Sequence, residues 1–290
     1  MIVCHSFLSQ TLDSLLTFNP ICIYAETTLD DLLERLYSTG FHQWPVIDTG
    51  RQVIGIVDDR DIVLAALGYR TSAGVYEASR ADLQIAVSHF MRRTVTTIDS
   101  SAIPSDVLAT LLTSHLSSVP VTRNGKLWGV ITISDFVREF AYSSHPVRQV
   151  PLQTVYDPTP LLVRGSDSLD AIDQQLRQEK ETYAVVMEGD CPLGVVSSRD
   201  LRHHQCRGIA RSLFVGTSES APRGIDIIKP AHVIASKADL GTAAVTLFEN
   251  QAQALMVCSR PRELSGLITQ EQILGHLLQT EAAPQEEPTI

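Results

Sequence analysis

The sequence predicts an α/β (α+β) protein built from four β-α-β-β-α repeats, and three observations lead there. A strand–turn–strand–helix pattern recurs four times along the chain. A segment with apolar residues three and four apart stands before each recurrence, as an amphipathic helix requires. A short extended segment stands before each of those helices.

The first recurrence is Trp44-Pro45-Val46-Ile47, a turn, then Gly55-Ile56-Val57 and the polar quartet Asp58-Asp59-Arg60-Asp61. The second is Val119-Pro120-Val121, a turn at Asn124-Gly125, Gly129-Val130-Ile131 and Thr132-Ile133-Ser134-Asp135. Tyr183-Ala184-Val185-Val186, a turn at Gly189-Asp190, Gly194-Val195-Val196 and Ser197-Ser198-Arg199-Asp200 make the third. The fourth runs Leu255-Met256-Val257, a turn, Gly266-Leu267-Ile268 and Thr269-Gln270-Glu271-Gln272. The helical segments ahead of them carry Leu29, Leu32, Leu33 and Leu36; Val107, Leu108, Leu111 and Leu112; Leu169, Ile172 and Leu176; and Leu240, Ala244, Leu247 and Phe248. Extended residues 21–24, 95–98, 161–163 and 232–235 precede these helices.

A small sheet with two helices on one face leaves its other face apolar, so two such units pack sheet to sheet. The expected organisation is a first pair over 1–143 (repeats about 18–68 and 86–142) and a second over 144–290 (repeats about 152–206 and 225–278). Residues 68–84 read as a connecting loop with one helical turn. The acidic tail from about residue 280 reads as disordered. The apolar pattern of Met1 to Asn19 predicts a short amphipathic helix and not a signal peptide.

Composition narrows the function. Of the 290 residues, 44% are hydrophobic and 19% charged, which suits a soluble globular protein. The 23 Lys and Arg against 33 Asp and Glu give a net charge of -10, which disfavours nucleic acid as a partner. No apolar run approaches the length of a membrane span, so no membrane insertion is expected. Five scattered cysteines without a CxxC pair read as free thiols of a cytoplasmic protein.

Four strand–turn–strand–helix units, each with a Gly, two aliphatics and a quartet of the kind [ST]-x-x-D, resemble the cystathionine-β-synthase (CBS) domain family. Four copies resemble two tandem Bateman modules, over nearly the whole chain. The resemblance implies a regulatory protein, not an enzyme. It implies an adenosine-containing ligand (AMP, ADP, S-adenosylmethionine or similar) between paired repeats, and it implies a homodimer that passes its signal to an effector protein. No cofactor is required, although an adenine nucleotide or S-adenosylmethionine is an expected occupant.

In that family the quartet holds ribose and phosphate. A hydroxyl can donate to phosphate beside the free N–H groups of a helix start, and an ionised Asp accepts from ribose hydroxyls. Thr132 with Asp135 and Ser197 with Asp200 keep that pattern and are the expected ligand contacts. Weaker candidates are Ser134, Arg199, Thr269, Asp61 and His42; Asp58 and Gln272 depart from the pattern. Val119, Pro120, Val121, Ala184 and Val185 are the expected apolar slot for a purine. The alternative is a ligand-free scaffold for dimerisation and protein–protein interaction, because the quartets also read as helix capping boxes worth about 1 kcal/mol each. His203, His204 and Cys206 read as a solvated helix face and the Asp58, Asp59, Asp61 run as no cation site, so no metal is expected. Trp44 and Trp128 read as core or interface residues.

Overall fold

The computed structural model describes residues 7–39, 41–67, 83–214, 223–230 and 232–282. The predicted connection at 68–84 and the acidic tail fall largely outside them.

The described chain opens with 3-10 turns at Phe7–Ser9 and Leu12–Ser14, then β1 (Thr17–Phe18). The expected continuous helix is therefore corrected to two turns and a strand. Phe7, Leu8, Leu12, Leu15 and Leu16 are still buried, as their apolar pattern implies. The backbone must be extended by Thr17 to pair with a strand of the second repeat, which a helix running to Asn19 would forbid.

Repeat one comprises β2 (Ile23–Tyr24), α1 (Leu29–Thr39), β3 (Gln43–Ile47), β4 (Val53–Asp58) and α2 (Asp59–Leu67). Repeat two has β5 (Ile98–Asp99), α3 (Pro104–Thr113), β6 (Ser118–Arg123), β7 (Lys126–Thr132) and α4 (Ile133–Tyr142). Repeat three has β8 (Leu162–Arg164), α5 (Leu169–Glu179), β9 (Tyr183–Glu188), β10 (Cys191–Ser197) and α6 (Ser198–Phe214), followed by α7 (Gly224–Ile227) and β11 (Lys229–Pro230). Repeat four has β12 (Val233–Ala235), α8 (Leu240–Glu249), β13 (Ala254–Arg260), β14 (Glu263–Thr269) and α9 (Gln270–Ala282). The last helix thus runs past the expected start of the tail, tied by Glu281, which meets His145 Nε2 at 2.7 Å.

In every repeat the first strand pairs parallel with the second, and the second antiparallel with the third. The hairpin of repeat two turns at Asn124 (φ 53°) and Gly125 (φ 73°), residue types that tolerate the left-handed region two-residue hairpins demand.

The segment ahead of each repeat crosses onto another repeat's last strand. β1 pairs with β7, Arg92 bridges Ile56 of β4, Asp157 bridges Leu267 of β14, and β11 pairs with β10. These crossings link repeats one and two reciprocally, and three and four likewise. They also explain the recurring glycine. A Cβ on Gly129 would stand 2.7 Å from the Thr17 carbonyl oxygen, and one on Gly266 would run into the Asp157 carbonyl and the Tyr156 ring. At Gly55 the same Cβ would meet Met91 Sδ, the end of a flexible side chain. The glycine leaves room for the crossing strand.

Helices carry the packing between the two halves. One buried cluster joins Leu108, Phe136 and Phe140 of repeat two to Leu240, Leu247 and Leu274 of repeat four. A second gathers Leu32, Trp44 and Ile62 of repeat one around Cys206 of α6. Sheet faces meet where Tyr183 and Val185 pack on Ala254, Met256 and Leu267. The chain is thus closed in both directions: strands cross between one and two and between three and four, and helices join one to three and two to four.

Candidate functional site: a polar ring at the repeat junctions

Each junction carries a polar contact. Between repeats one and two, Ser118 Oγ donates to Gln43 Oε1. Between two and four, Ser134 Oγ donates to Gln270 Oε1 at 3.3 Å, and Gln270 Nε2 donates to the Ala252 carbonyl at 2.8 Å. Tyr183 Oη donates to Glu271 Oε1 at 3.3 Å between three and four. Between three and one, the His42 and His203 rings meet edge to face with centroids 4.7 Å apart. Cys206 Sγ donates to the Asp59 carbonyl at 3.5 Å across the same junction. The ring closes through all four repeats.

Burial shapes its chemistry. Desolvation raises the Glu271 carboxyl above its usual range and drives Tyr183 well up, helped by the Glu271 charge, so the phenol keeps its proton and donates. Burial lowers the Arg199 guanidinium, opposed by the charges of Asp59 and Asp200. Arg199 is half-buried, whereas Arg60, its counterpart in repeat one, is exposed.

The four quartets are all helix caps. In repeat two, Thr132 Oγ1 donates to Asp135 Oδ2 at 2.7 Å and accepts from the Asp135 N–H at 3.2 Å, while the Thr132 N–H donates to Asp135 Oδ2 at 2.9 Å. Arg138 takes the other oxygen, Nη1 to Asp135 Oδ1 at 2.8 Å, and its Nη2 donates to the Ser14 carbonyl. In repeat three, Ser197 Oγ donates to Asp200 Oδ2 at 2.6 Å and accepts from the Asp200 N–H at 3.1 Å. Repeat four caps itself with Gln272 Oε1 accepting from the Thr269 N–H at 2.9 Å and Thr269 Oγ1 accepting from the Gln272 N–H at 3.2 Å.

Repeat one uses two carboxylates. The Asp58 N–H donates to Asp61 Oδ2, and the Asp61 N–H donates to Asp58 Oδ1. Arg92 neutralises both: Nη2 lies 2.6 Å from Asp58 Oδ2 and Nε 3.1 Å from Asp61 Oδ2. Burial and the Asp58 charge still raise the Asp61 carboxyl.

The expected purine slot is only partly compatible with this geometry. Val119 and Val121 are fully buried in the helix-facing core, as is Ala184. Alternation along a strand sends only every second side chain to the opposite face, and that face carries Val185. The slot expectation is corrected at Val119, Val121 and Ala184. Pro120, between two helix-facing valines, and Val185 remain on the other face.

The solvated-face reading of α6 is also corrected. Cys206 is fully buried, its thiol raised by that burial and by Asp59, and His203 is half-buried against His42. His42 Nδ1 lies 2.8 Å from Asp59 Oδ2, a pairing that no local spacing announces. Trp44 is fully buried; Trp128 is 38% exposed, with Phe18 edge-on at 5.8 Å and Arg123 over its ring.

A cavity of about 700 Å³ opens elsewhere, at the turn end of repeats three and four, lined by Pro158, Leu162, Met187, Asp190, Glu263 and Gly266 among others. It shares no residue with the quartets, which stand at the opposite ends of the same strands. Among the described residues, no helix is long and apolar enough to cross a membrane.

Comparison with known proteins fits this architecture. Residues 12–68 and 87–142, which span repeats one and two, match the CBS domain family model. A 94-residue stretch is 31% identical to an uncharacterized 17.7 kDa protein of Acidianus ambivalens, covering 32% of this chain and 50% of that protein, so the match spans half the relative's length. A CBS domain-containing protein of Dictyostelium discoideum is 29% identical over 120 residues, 40% of this chain and 80% of that one. The crystal structure of protein MJ1225 from Methanocaldococcus jannaschii superposes with a TM-score of 0.72 at 18% identity, covering 92% of this chain and 100% of that one. Repeats one and two therefore resemble CBS domains in sequence, and the chain as a whole shares its fold with protein MJ1225.

Proposed function

We propose that this chain is a non-catalytic regulatory protein that senses an adenosine-containing ligand between paired repeats. Repeats one and two (1–143) and three and four (144–290) act as its two paired units. Ser197 and Asp200 are the principal ligand contacts. Ser197 offers a hydroxyl at the start of α6 and Asp200 a carboxylate, with the half-buried Arg199 cation in the same quartet to meet a phosphate. Val185 and, in the other half, Pro120 are the apolar surfaces left for a purine.

The observation that carries the reading is the closed polar ring. A ligand that engages one helix start pulls on a network touching all four repeats. Differential affinity for two arrangements of that network is what turns binding into a signal. The output passes to a partner protein, through a homodimer of this chain. The thiols of Cys22, Cys191, Cys206 and Cys258 are free, which suits a cytoplasmic setting.

Titration of ligand-stripped full-length protein with AMP, ADP, ATP, NAD and S-adenosylmethionine tests this. Saturable binding of at least one is expected, together with a matching molecule in native mass spectra of the unstripped protein. Silence from all five would sink it. For repeats one and two a second reading is favoured by Arg92 and Arg138, which hold Asp58, Asp61 and Asp135 from within the chain. Those two quartets serve as scaffold.

A further inference from the structure

The junction between repeats one and three, which closes the polar ring, also brings together a set of metal-ligating side chains. His42, on the segment entering β3, Asp59, the first residue of α2, and His203, on α6, each place one ligand atom within 4.8 Å of the others. Asp59 is 3% exposed, and its Oδ1 is buried with no hydrogen-bond partner among the described residues. A buried carboxylate oxygen without a donor is destabilising, and a bound cation would relieve it. His42 is held over Asp59 twice: its Nδ1 lies 2.8 Å from Oδ2, and its carbonyl accepts from the Asp59 N–H at 3.2 Å.

We propose that His42, Asp59 and His203 bind one divalent transition-metal ion, with zinc the best match. Two imidazoles and a carboxylate are a nitrogen-rich set that suits zinc and its neighbours. Calcium and magnesium prefer all-oxygen shells. Three protein ligands leave a fourth position for water or an exogenous donor. An imidazole nitrogen and a carboxylate oxygen already 2.8 Å apart need only a small spread to share one ion, and His203 closes from the facing helix. The nearby Arg199 charge opposes the cation and moderates its affinity.

The consequence is structural. The three ligands come from the two halves of the molecule, two from repeat one and one from repeat three. A bound ion pins α2 to α6 at one side of the polar ring, so metal occupancy sets how freely the halves move against each other.

The test uses full-length protein treated with a chelator and then titrated with Zn2+ and with Co2+. One saturable equivalent is expected, with a metal-dependent rise in Tm and, for Co2+, intense visible absorption of a four- or five-coordinate site. X-ray absorption of the zinc-loaded wild-type protein should show two imidazoles. His42→Gln and His203→Gln should each weaken binding by more than about 100-fold, while His89→Gln, at an exposed position away from the cluster, leaves it unchanged. The wild-type spectra keep the test decisive if a variant misfolds. Absence of a saturable equivalent, fewer than two imidazoles in the spectrum, or full binding by both folded variants would overturn the proposal.

Discussion

The two halves of the molecule use one sequence device in two ways. In the first half, basic side chains from within the chain close the acidic quartets: Arg92 spans Asp58 and Asp61, and Arg138 takes the second oxygen of Asp135. In the second half, Ser197 and Asp200 cap α6, and the nearby cation, Arg199, sits within the quartet itself. A quartet of the kind [ST]-x-x-D is therefore not a site by itself. All four quartets cap helices, and the first-half carboxylates also hold an arginine.

The largest effect should come from the crossing segments. In the second half a methyl on Gly266 meets backbone, the Asp157 carbonyl, whereas on Gly55 it meets flexible Met91 first and the Arg92 carbonyl only at 3.3 Å. Gly266→Ala should cost about 3 kcal/mol and Gly55→Ala about 1 kcal/mol, measured by denaturant unfolding. Equal costs would remove the distinction drawn between the two crossings.

Next is Arg92→Ala, expected to cost about 1.5 kcal/mol at neutral pH because two adjoining carboxylates lose their shared donor. Asp61 has a folded pKa raised above its usual 3.8 by burial and Asp58. The folded state therefore holds more protons than the unfolded one in the window just above 3.8, and stability falls as pH rises through it. Losing Arg92 raises the group further, so the deficit of the variant should shrink as pH drops below about 4 and reach its full size near neutrality. A pH-independent deficit would mean that Arg92 acts through packing alone.

Tyr183→Phe is the smallest, about 0.5–1 kcal/mol, since one hydrogen bond to a largely protected carboxyl is lost. Glu271 also has a raised folded pKa, so its contribution likewise favours the folded state at low pH and fades as pH rises. The variant should therefore carry its largest deficit above that window, read as Tm against pH.

Much of the fold was legible because its signals are periodic. The recurring glycines with flanking aliphatics marked the hairpins, and the spacing of Leu29, Leu32, Leu33 and Leu36 marked a helix that the structure buries on that face. The crossing segments were not legible, since β1 and β11 are two residues long and pair with strands far away in sequence. The N-terminal apolar residues fitted helical spacing, but pairing of Thr17 with Val130 required extended backbone. At the site, the quartets could be found and their occupants could not. Arg92 lies 34 residues from Asp58, and His42 meets His203 from the other half of the chain. Contacts of that kind carry no local pattern. Strand alternation could have excluded Val119 and Val121 from the purine slot, because both share a face with the helix-directed core.

The proposal that Ser197 and Asp200 contact the ligand while the first-half quartets serve as scaffold is met most directly by paired titrations of Asp200→Asn and Asp135→Asn with whichever adenosine compound the wild-type protein binds. Asn preserves helix capping in both, so folding is a shared baseline. The expected result is a loss of more than about tenfold for Asp200→Asn, equivalent to about 1.4 kcal/mol, with Asp135→Asn near wild type. Undiminished binding by Asp200→Asn, or a larger loss in Asp135→Asn, would contradict it.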